Sequence, residues 1–446
     1  MHDHEPDFWR NLKDELSGGA RWIDRAVVLL FAALTGAVVV GFTLLADAAS
    51  RAFDWVAGAT PLGSWIALAW TPALAVAVLW FTRRFAPGAL GSGVPQVVLA
   101  LDDDTPESAR GALVSLRLSM HKIGLVCAGL MAGLSIGREG PTVQVGAGVM
   151  LHAKRWLSER AGVDGHDLIV AGAAAGIAAA FNTPLGGIVF AIEQLSRRRS
   201  MTHSGLVIAC IVLSGLVAVS VFGNLSYFGE LRVQQLDWQL LLPGLGVALA
   251  SGLAGGLFAR LLVASARGLP DRVSRWRRAA PLRFAAACAF GVALIGLASD
   301  GSTAGAGYAA TRALLEGTAE VPPLYTLMKF CATWLSAWSG VPAGVFAPSL
   351  AIGAGLGHDV AALAGLAGEA AIPLIALGMV GFLAATTQGP ITAFIIVMEM
   401  VSGHAMVLSL MATALLASGV ARLLTRPMYV ELAGVVAETL AKPAPR

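Results

Sequence analysis

Apolar stretches recur along the whole chain, among them Ala26 to Leu45, Trp65 to Phe81, Gly205 to Phe222, Leu240 to Ala259, Phe284 to Ala298 and Met406 to Ala421. Each is near the ~20 residues that a helix needs to cross a hydrocarbon core. The pattern therefore predicts an all-α polytopic membrane protein. Between the stretches lie basic clusters at Arg83-Arg84, Lys154-Arg155, Arg197 to Arg199 and Arg267 to Arg283. The excess of Lys and Arg in cytoplasmic loops assigns these to the cytoplasm. Residues 1–25 are polar and charged, with no short apolar core and cleavage site before them, and read as a retained cytoplasmic N-terminus.

Three segments interrupt the apolar pattern: GSGVP at Gly91 to Pro95, GREGP at Gly137 to Pro141, and GVPAGVFAP at Gly340 to Pro348. Each is too rich in Gly and Pro for a continuous span and is followed by a helix-compatible run. Proline suits the first turn of a helix, and glycine lets backbone approach a ligand closely. The segments therefore predict helices that start inside the membrane, where irregular backbone must be buried in protein or line a cavity. Read singly, any of them is a packing contact between helices; three together are harder to read that way.

The two halves of the chain share a register. Pro141 of GREGP is followed after 43 residues by Pro184 and after nine more by Glu193; Pro348 of GVFAP is followed after 42 by Pro390 and after nine more by Glu399. A basic run follows Glu193, whereas VSGHAMV, without Lys or Arg, follows Glu399. The same helix end then faces opposite sides in the two copies. That is an inverted-topology repeat, with a site expected where the copies meet near the midplane. The expected layout is a first repeat over 26–225, a second over 235–430, and a short cytoplasmic tail over 431–446, with the polar stretch Gly223 to Trp238 as the seam.

Composition agrees with a life in lipid: of 446 residues 56% are hydrophobic and 13% charged, and mean hydropathy is +0.72. No room is left for a large soluble domain. Cys127, Cys210, Cys288 and Cys331 stand singly in apolar segments, without metal-ligand spacing, so neither a disulfide framework nor a metal site is expected. No cofactor motif is found. Helix N-termini present unpaired amide donors and the positive end of the dipole, so three that converge suit a partly dehydrated anion without trapping it on a full charge.

In these segments the chain resembles the CLC family of chloride channels and proton/chloride antiporters. GSGVP, GREGP and GVFAP are its signature elements in order, RPMYVELA with Tyr429 is a fourth, and the resemblance runs from about Ala26 to Leu440. It implies that the hydroxyls of Ser92 and Tyr429 and the amides of Val345 and Phe346 hold a central anion, and that the amide of Gly140 serves an outer one. It implies that Glu139 is both gate and proton acceptor: ionised, it occupies the anion site as a tethered competitor, and protonation releases it. Arg138 is expected to add positive potential at the outer mouth and Lys122 near the pore, although both could be ordinary paired charges. Chloride is the implied substrate, with bromide and nitrate tolerated, because Ser92 stands where nitrate-preferring members carry proline and fluoride exporters another residue. A homodimer with one pore per subunit in the bacterial inner membrane follows from the same resemblance, and because the chain stops at Arg446, soon after the Tyr429 segment, the cytoplasmic CBS pair of many eukaryotic members is expected to be absent.

One position departs from the pattern. Proton-coupled bacterial members usually place a glutamate directly after the position of Glu193, and here Gln194 stands there, unable to titrate. Coupling through water or Glu193, weak coupling, and a passive chloride conduit are the readings left open, with exchange preferred because Glu139 remains. Glu193 and Glu399 are expected to be structural or vestibular charges. Two other classes predict different features. An intramembrane enzyme would need more than the adjacent His203 and Ser204, which lack a nucleophile motif and an oriented base. A transporter of larger organic anions would need Arg anchors in a wider cavity.

Overall fold

The computed structural model describes residues 19–58, 63–158, 162–196, 204–223, 228, 238–317, 321–322 and 324–441. The basic run Arg197 to Arg199, most of the Gly223 to Trp238 seam and the first 18 residues lie outside the described residues. Every regular element among the described residues is helical. Among the described residues nine helical stretches are long and apolar enough to cross a bilayer, and they take in the six apolar runs picked out above, the fourth from Leu241 on.

The first repeat is built from α1 (Gly19–Gly58), α2 (Gly63–Phe85), α3 (Val94–Ala100), α4 (Glu107–Leu113), α5 (Leu116–Met131), α6 (Glu139–His152), α7 (Gly165–Phe181), α8 (Pro184–Phe190) and α9 (Ser204–Phe222). The second comprises α10 (Leu241–Arg267), α11 (Arg272–Ala279), α12 (Pro281–Ala298), α13 (Tyr308–Leu315), α14 (Tyr325–Trp338), α15 (Phe346–Leu363), α16 (Ile372–Thr387), α17 (Pro390–Met400) and α18 (Val407–Arg422), after which α19 (Met428–Ala441) follows. Helix α1 starts within the stretch expected to precede the membrane, and α19 occupies most of the expected tail.

The three Gly- and Pro-punctuated segments each end in a helix start, at Val94, Glu139 and Phe346. Pro184 and Pro390 open α8 and α17. Directly before them, Asn182 and Gln388 end α7 and α16 in left-handed conformations, at φ of 57° and 52°. Helix α8 then widens into a π-helical turn over Ala191–Leu195, which sets the direction of Glu193 and Gln194.

Packing repeats as the sequence does. Helices α6 and α7 cross where a methyl at Gly176 would lie 3.0 Å from the Thr142 carbonyl carbon, and α15 and α16 cross where one at Gly353 would lie 2.8 Å from the Gly378 carbonyl carbon. Small residues let these backbones touch. Helix α16 is almost wholly buried, whereas α9, α12 and α18 leave much of their apolar surface outward, as lipid-facing helices do. The buried helices α7 and α16 thus form a core behind the helix starts, and the outer helices shield it from lipid.

Candidate anion-binding site

The site begins with backbone. Gly137 of GREGP and Gly344 of GVFAP pair in antiparallel fashion: the Gly137 N–H donates to the Gly344 carbonyl at 2.7 Å, and the Gly344 N–H donates to the Gly137 carbonyl at 3.0 Å. The pair fixes the N-termini of α6 and α15 side by side. Position for position, Arg138 faces Val345 in the repeat, Glu139 faces Phe346, and Pro141 faces Pro348. The third helix start joins them: a methyl at Gly140 would lie 3.1 Å from the Ser92 carbonyl and 3.2 Å from Ser92 Cβ, with Gly344 Cα at 3.5 Å. Gly93, which leads into α3 at φ +103°, leaves space that a side chain would take from Gln144 Cβ at 2.9 Å. No L side chain suits that backbone.

Tyr429 comes to this point from α19. Its ring stacks on Phe346 with centroids 6.2 Å apart and planes at 13°. Phe181 and Phe190 pack on other sides of Phe346, at 6.1 and 6.3 Å. The hydroxyls of Ser92 and Tyr429 are both buried, and among the described residues no protein group hydrogen-bonds either one. Two orphaned hydroxyls beside the amide-rich first turns of α6 and α15 form a neutral donor set that fits a small anion.

Glu139 is fully buried at the first position of α6. Its Oε1 accepts a hydrogen bond from the Tyr308 hydroxyl. Oε2 lies against Gly137, where an added methyl would collide with it and sit 3.4 Å from Ala347 Cβ. The carboxylate thus lies between the two paired helix starts.

Arg138 is also buried, and its charge is not free. The guanidinium pairs with Asp47, donates to the Thr43 carbonyl of α1 at 3.2 Å, and lies 5.5 Å from the centre of the Tyr308 ring. Its Nε stands 3.9 Å from Glu139 Oε1. Arg138 therefore ties the start of α6 to α1.

Lys122 is completely buried on α5 and donates to the carbonyls of Ala89 at 2.8 Å and Gly91 at 2.7 Å. It fixes the loop that delivers Ser92. Its counterpart 207 positions on, Lys329 of α14, is equally buried and donates to Thr303 and Gly305 at 2.8 and 2.9 Å, in the loop that delivers Tyr308. The sequence reading missed Lys329 and Tyr308. For Lys329 the repeat register carried the signal, since Lys122 and Lys329 share the offset of Gly137 and Gly344; Tyr308 has no such mark.

Gln194 is buried in the seam between the copies, where its side chain packs on Gly389 at the start of α17. Nearby, a cavity of about 450 Å³ is lined by Glu193, Gln388, Arg422, Thr425, Arg426 and Pro427, two residues from Tyr429. Glu193 and Glu399 face the helix starts of the opposite copy.

Two interlocked copies with broken helices meeting at a neutral donor set define a membrane transport protein of the inverted-repeat class. Residues 74–422 match the voltage-gated chloride channel family, and the chain belongs to that family. It is 31% identical to the H(+)/Cl(-) exchange transporter ClcA of Cronobacter sakazakii, over 93% of this chain and 90% of that protein. It is also 31% identical to the protein of the same name from Vibrio parahaemolyticus, over 82% and 79%. Among solved structures it resembles a slow cyanobacterial Cl-/H+ antiporter, with a TM-score of 0.74 and 23% identity over 94% of this chain and 98% of the other. A CLC-type fluoride/proton antiporter matches equally well, with a TM-score of 0.74 and 22% identity over the same shares. These likenesses bear out the expected fold.

Proposed function

We propose that this protein exchanges chloride for protons across a bacterial inner membrane, with Glu139 as the gate and proton acceptor. The observation that carries the reading is the place of Glu139: a fully buried carboxylate between the paired starts of α6 and α15, beside the orphaned hydroxyls of Ser92 and Tyr429. The names of the bacterial relatives point the same way. Ionised, the carboxylate competes with chloride for the donors of Ser92, Gly140, Val345, Phe346 and Tyr429. Protonated, it loses that advantage, leaves the donors to the anion and carries its proton opposite to the anion. The first half of the chain reads as one repeat, the second as its inverted copy, and two such chains as a homodimer with a pore in each.

A second reading, a passive chloride conduit, draws on Gln194. A buried amide in the seam cannot relay a proton inward, so coupling would have to run through water or Glu193. Purified protein in chloride-loaded liposomes separates the two. Exchange predicts that an outward chloride gradient drives protons inward against their own gradient, and that Glu139→Ala keeps chloride flux while abolishing proton movement. Chloride efflux without proton movement in the unaltered protein leaves the conduit reading; no chloride flux refutes both.

A further inference from the structure

Resting on the reading of Glu139 as the gate, we propose that Tyr308 is a positioning residue that latches the ionised gate in place and thereby sets the pH at which the transporter opens. Tyr308 opens α13, in the second repeat, while Glu139 opens α6 in the first. Its hydroxyl donates to Glu139 Oε1, so the gate of one copy is held by the other. Nothing in the five signature positions of the anion site requires a phenol here.

The phenol is presented by a loop with little freedom. Lys329 clamps the loop through the Thr303 and Gly305 carbonyls, and the Gly305 N–H donates to the Leu134 carbonyl at 3.1 Å, just before GREGP. Gly307 precedes Tyr308 at φ +87°, and a side chain there would meet Ala351 Cβ at 2.6 Å and Lys329 Cε at 3.0 Å. The ring is gripped between the Arg138 guanidinium, 5.5 Å from its centre, and Phe228, at 6.0 Å. The hydroxyl is thus aimed at the carboxylate by packing that does not depend on the hydrogen bond itself.

A phenol donates a stronger hydrogen bond to a carboxylate than to a carboxylic acid, because the first bond is charge-assisted. The latch therefore favours the ionised, blocking form. The other charged or titratable groups around Glu139 are Arg138 on its own element, Asp47 reaching it through Arg138, and Tyr429 from α19. The facing turns of α3 and α15 contribute Ser92 and backbone. The Tyr308 hydroxyl, which bonds Glu139 directly, can be removed without changing a charge or the packing of the ring.

Chloride flux through liposomes, measured across the pH range for Tyr308→Phe, tests the latch. The expected result is a half-maximal pH moved alkaline by about one unit, and about tenfold more flux on the alkaline side of the original midpoint. The near-isosteric 3-fluorotyrosine, a stronger donor, moves the midpoint the other way and covers the case in which Tyr308→Phe does not fold. In a Glu139→Gln background, Tyr308→Phe changes nothing further, since the latch has no other target. A midpoint unmoved in both Tyr308 variants, while Glu139→Gln removes the pH dependence, overturns the latch and spares the gate. Persistence of pH dependence in Glu139→Gln overturns the gate and the latch with it.

Discussion

Glu193 and Glu399 each cap a helix of the opposite repeat. Glu399 accepts from the N–H groups of Leu185 and Gly186 at 3.2 and 2.7 Å, in the first turn of α8, and Glu193 accepts from those of Ile391 and Thr392 at 3.1 and 2.7 Å, in the first turn of α17. The distances match to within 0.1 Å because the same contact is made twice, related by the internal pseudo-twofold. Each carboxylate satisfies amides that a helix start leaves without a partner and sits at the positive end of a dipole. The expectation of a structural role for both acids thereby gains a specific form.

Removing either cap leaves two amides unsatisfied, at about 2–3 kcal/mol. Glu193→Ala and Glu399→Ala are expected to lower thermal stability in detergent by similar amounts, while each retains residual chloride flux. A variant as stable as the parent would show that its cap contributes nothing.

The buried lysines should separate in their effects although their geometry matches. Lys122 binds the Gly91 carbonyl, next to Ser92, and a positive charge near an anion site at an effective dielectric of about 20 contributes on the order of 1 kcal/mol or more. Lys122→Met is thus expected to raise the chloride concentration for half-maximal flux about tenfold. Lys329→Met loosens the Tyr308 loop instead and should move the pH midpoint in the direction of Tyr308→Phe. Chloride titrations at several pH values distinguish the two, and identical behaviour would contradict this division.

Gln194→Ala is expected to leave the proton-to-chloride ratio unchanged, because the amide it removes never carried a proton. Paired chloride and pH recordings read the ratio directly. A fall to chloride-only flux would show that Gln194 orders a water path that the exchange requires.

Arg422 and Arg426 line the cavity beside Glu193 and Tyr429's helix. Exposed charges attract an ion over roughly a Debye length, about 10 Å at 0.1 M salt and far less at 1 M. Arg422→Gln with Arg426→Gln should therefore slow chloride flux several-fold at low ionic strength and hardly at all at high. A rate loss that ignores salt would indicate damage to packing instead.

Much of this was legible in the chain itself. Apolar length gave the spans, Gly-Pro punctuation gave the helix starts at Val94, Glu139 and Phe346, and equal intervals gave the repeat. Ser92, Gly140, Val345, Phe346 and Tyr429 were named because short motifs carry them. Tyr308 escaped because α13 starts in GAGYA, which lacks the proline that marks the other starts; only its contact with Glu139, 169 residues away, reveals it. The partners of Arg138 were equally out of reach, since Asp47 lies 91 residues earlier on a helix with no motif. Contacts between distant segments leave no local spacing to read.

The bond between Gly137 and Gly344 limits how such a protein can move. Many transporters with inverted repeats work by rocking one copy against the other around a fixed site. Here the copies are stitched together at the site by two mutual backbone hydrogen bonds, and a methyl at Gly344 would lie 2.6 Å from the Gly137 carbonyl, so the stitch has no slack. A rocking motion would tear the frame at its centre. On the reading proposed above, the moving parts are left to be small ones, a carboxylate and the few side chains that hold it, with ions passing through a scaffold that stays still.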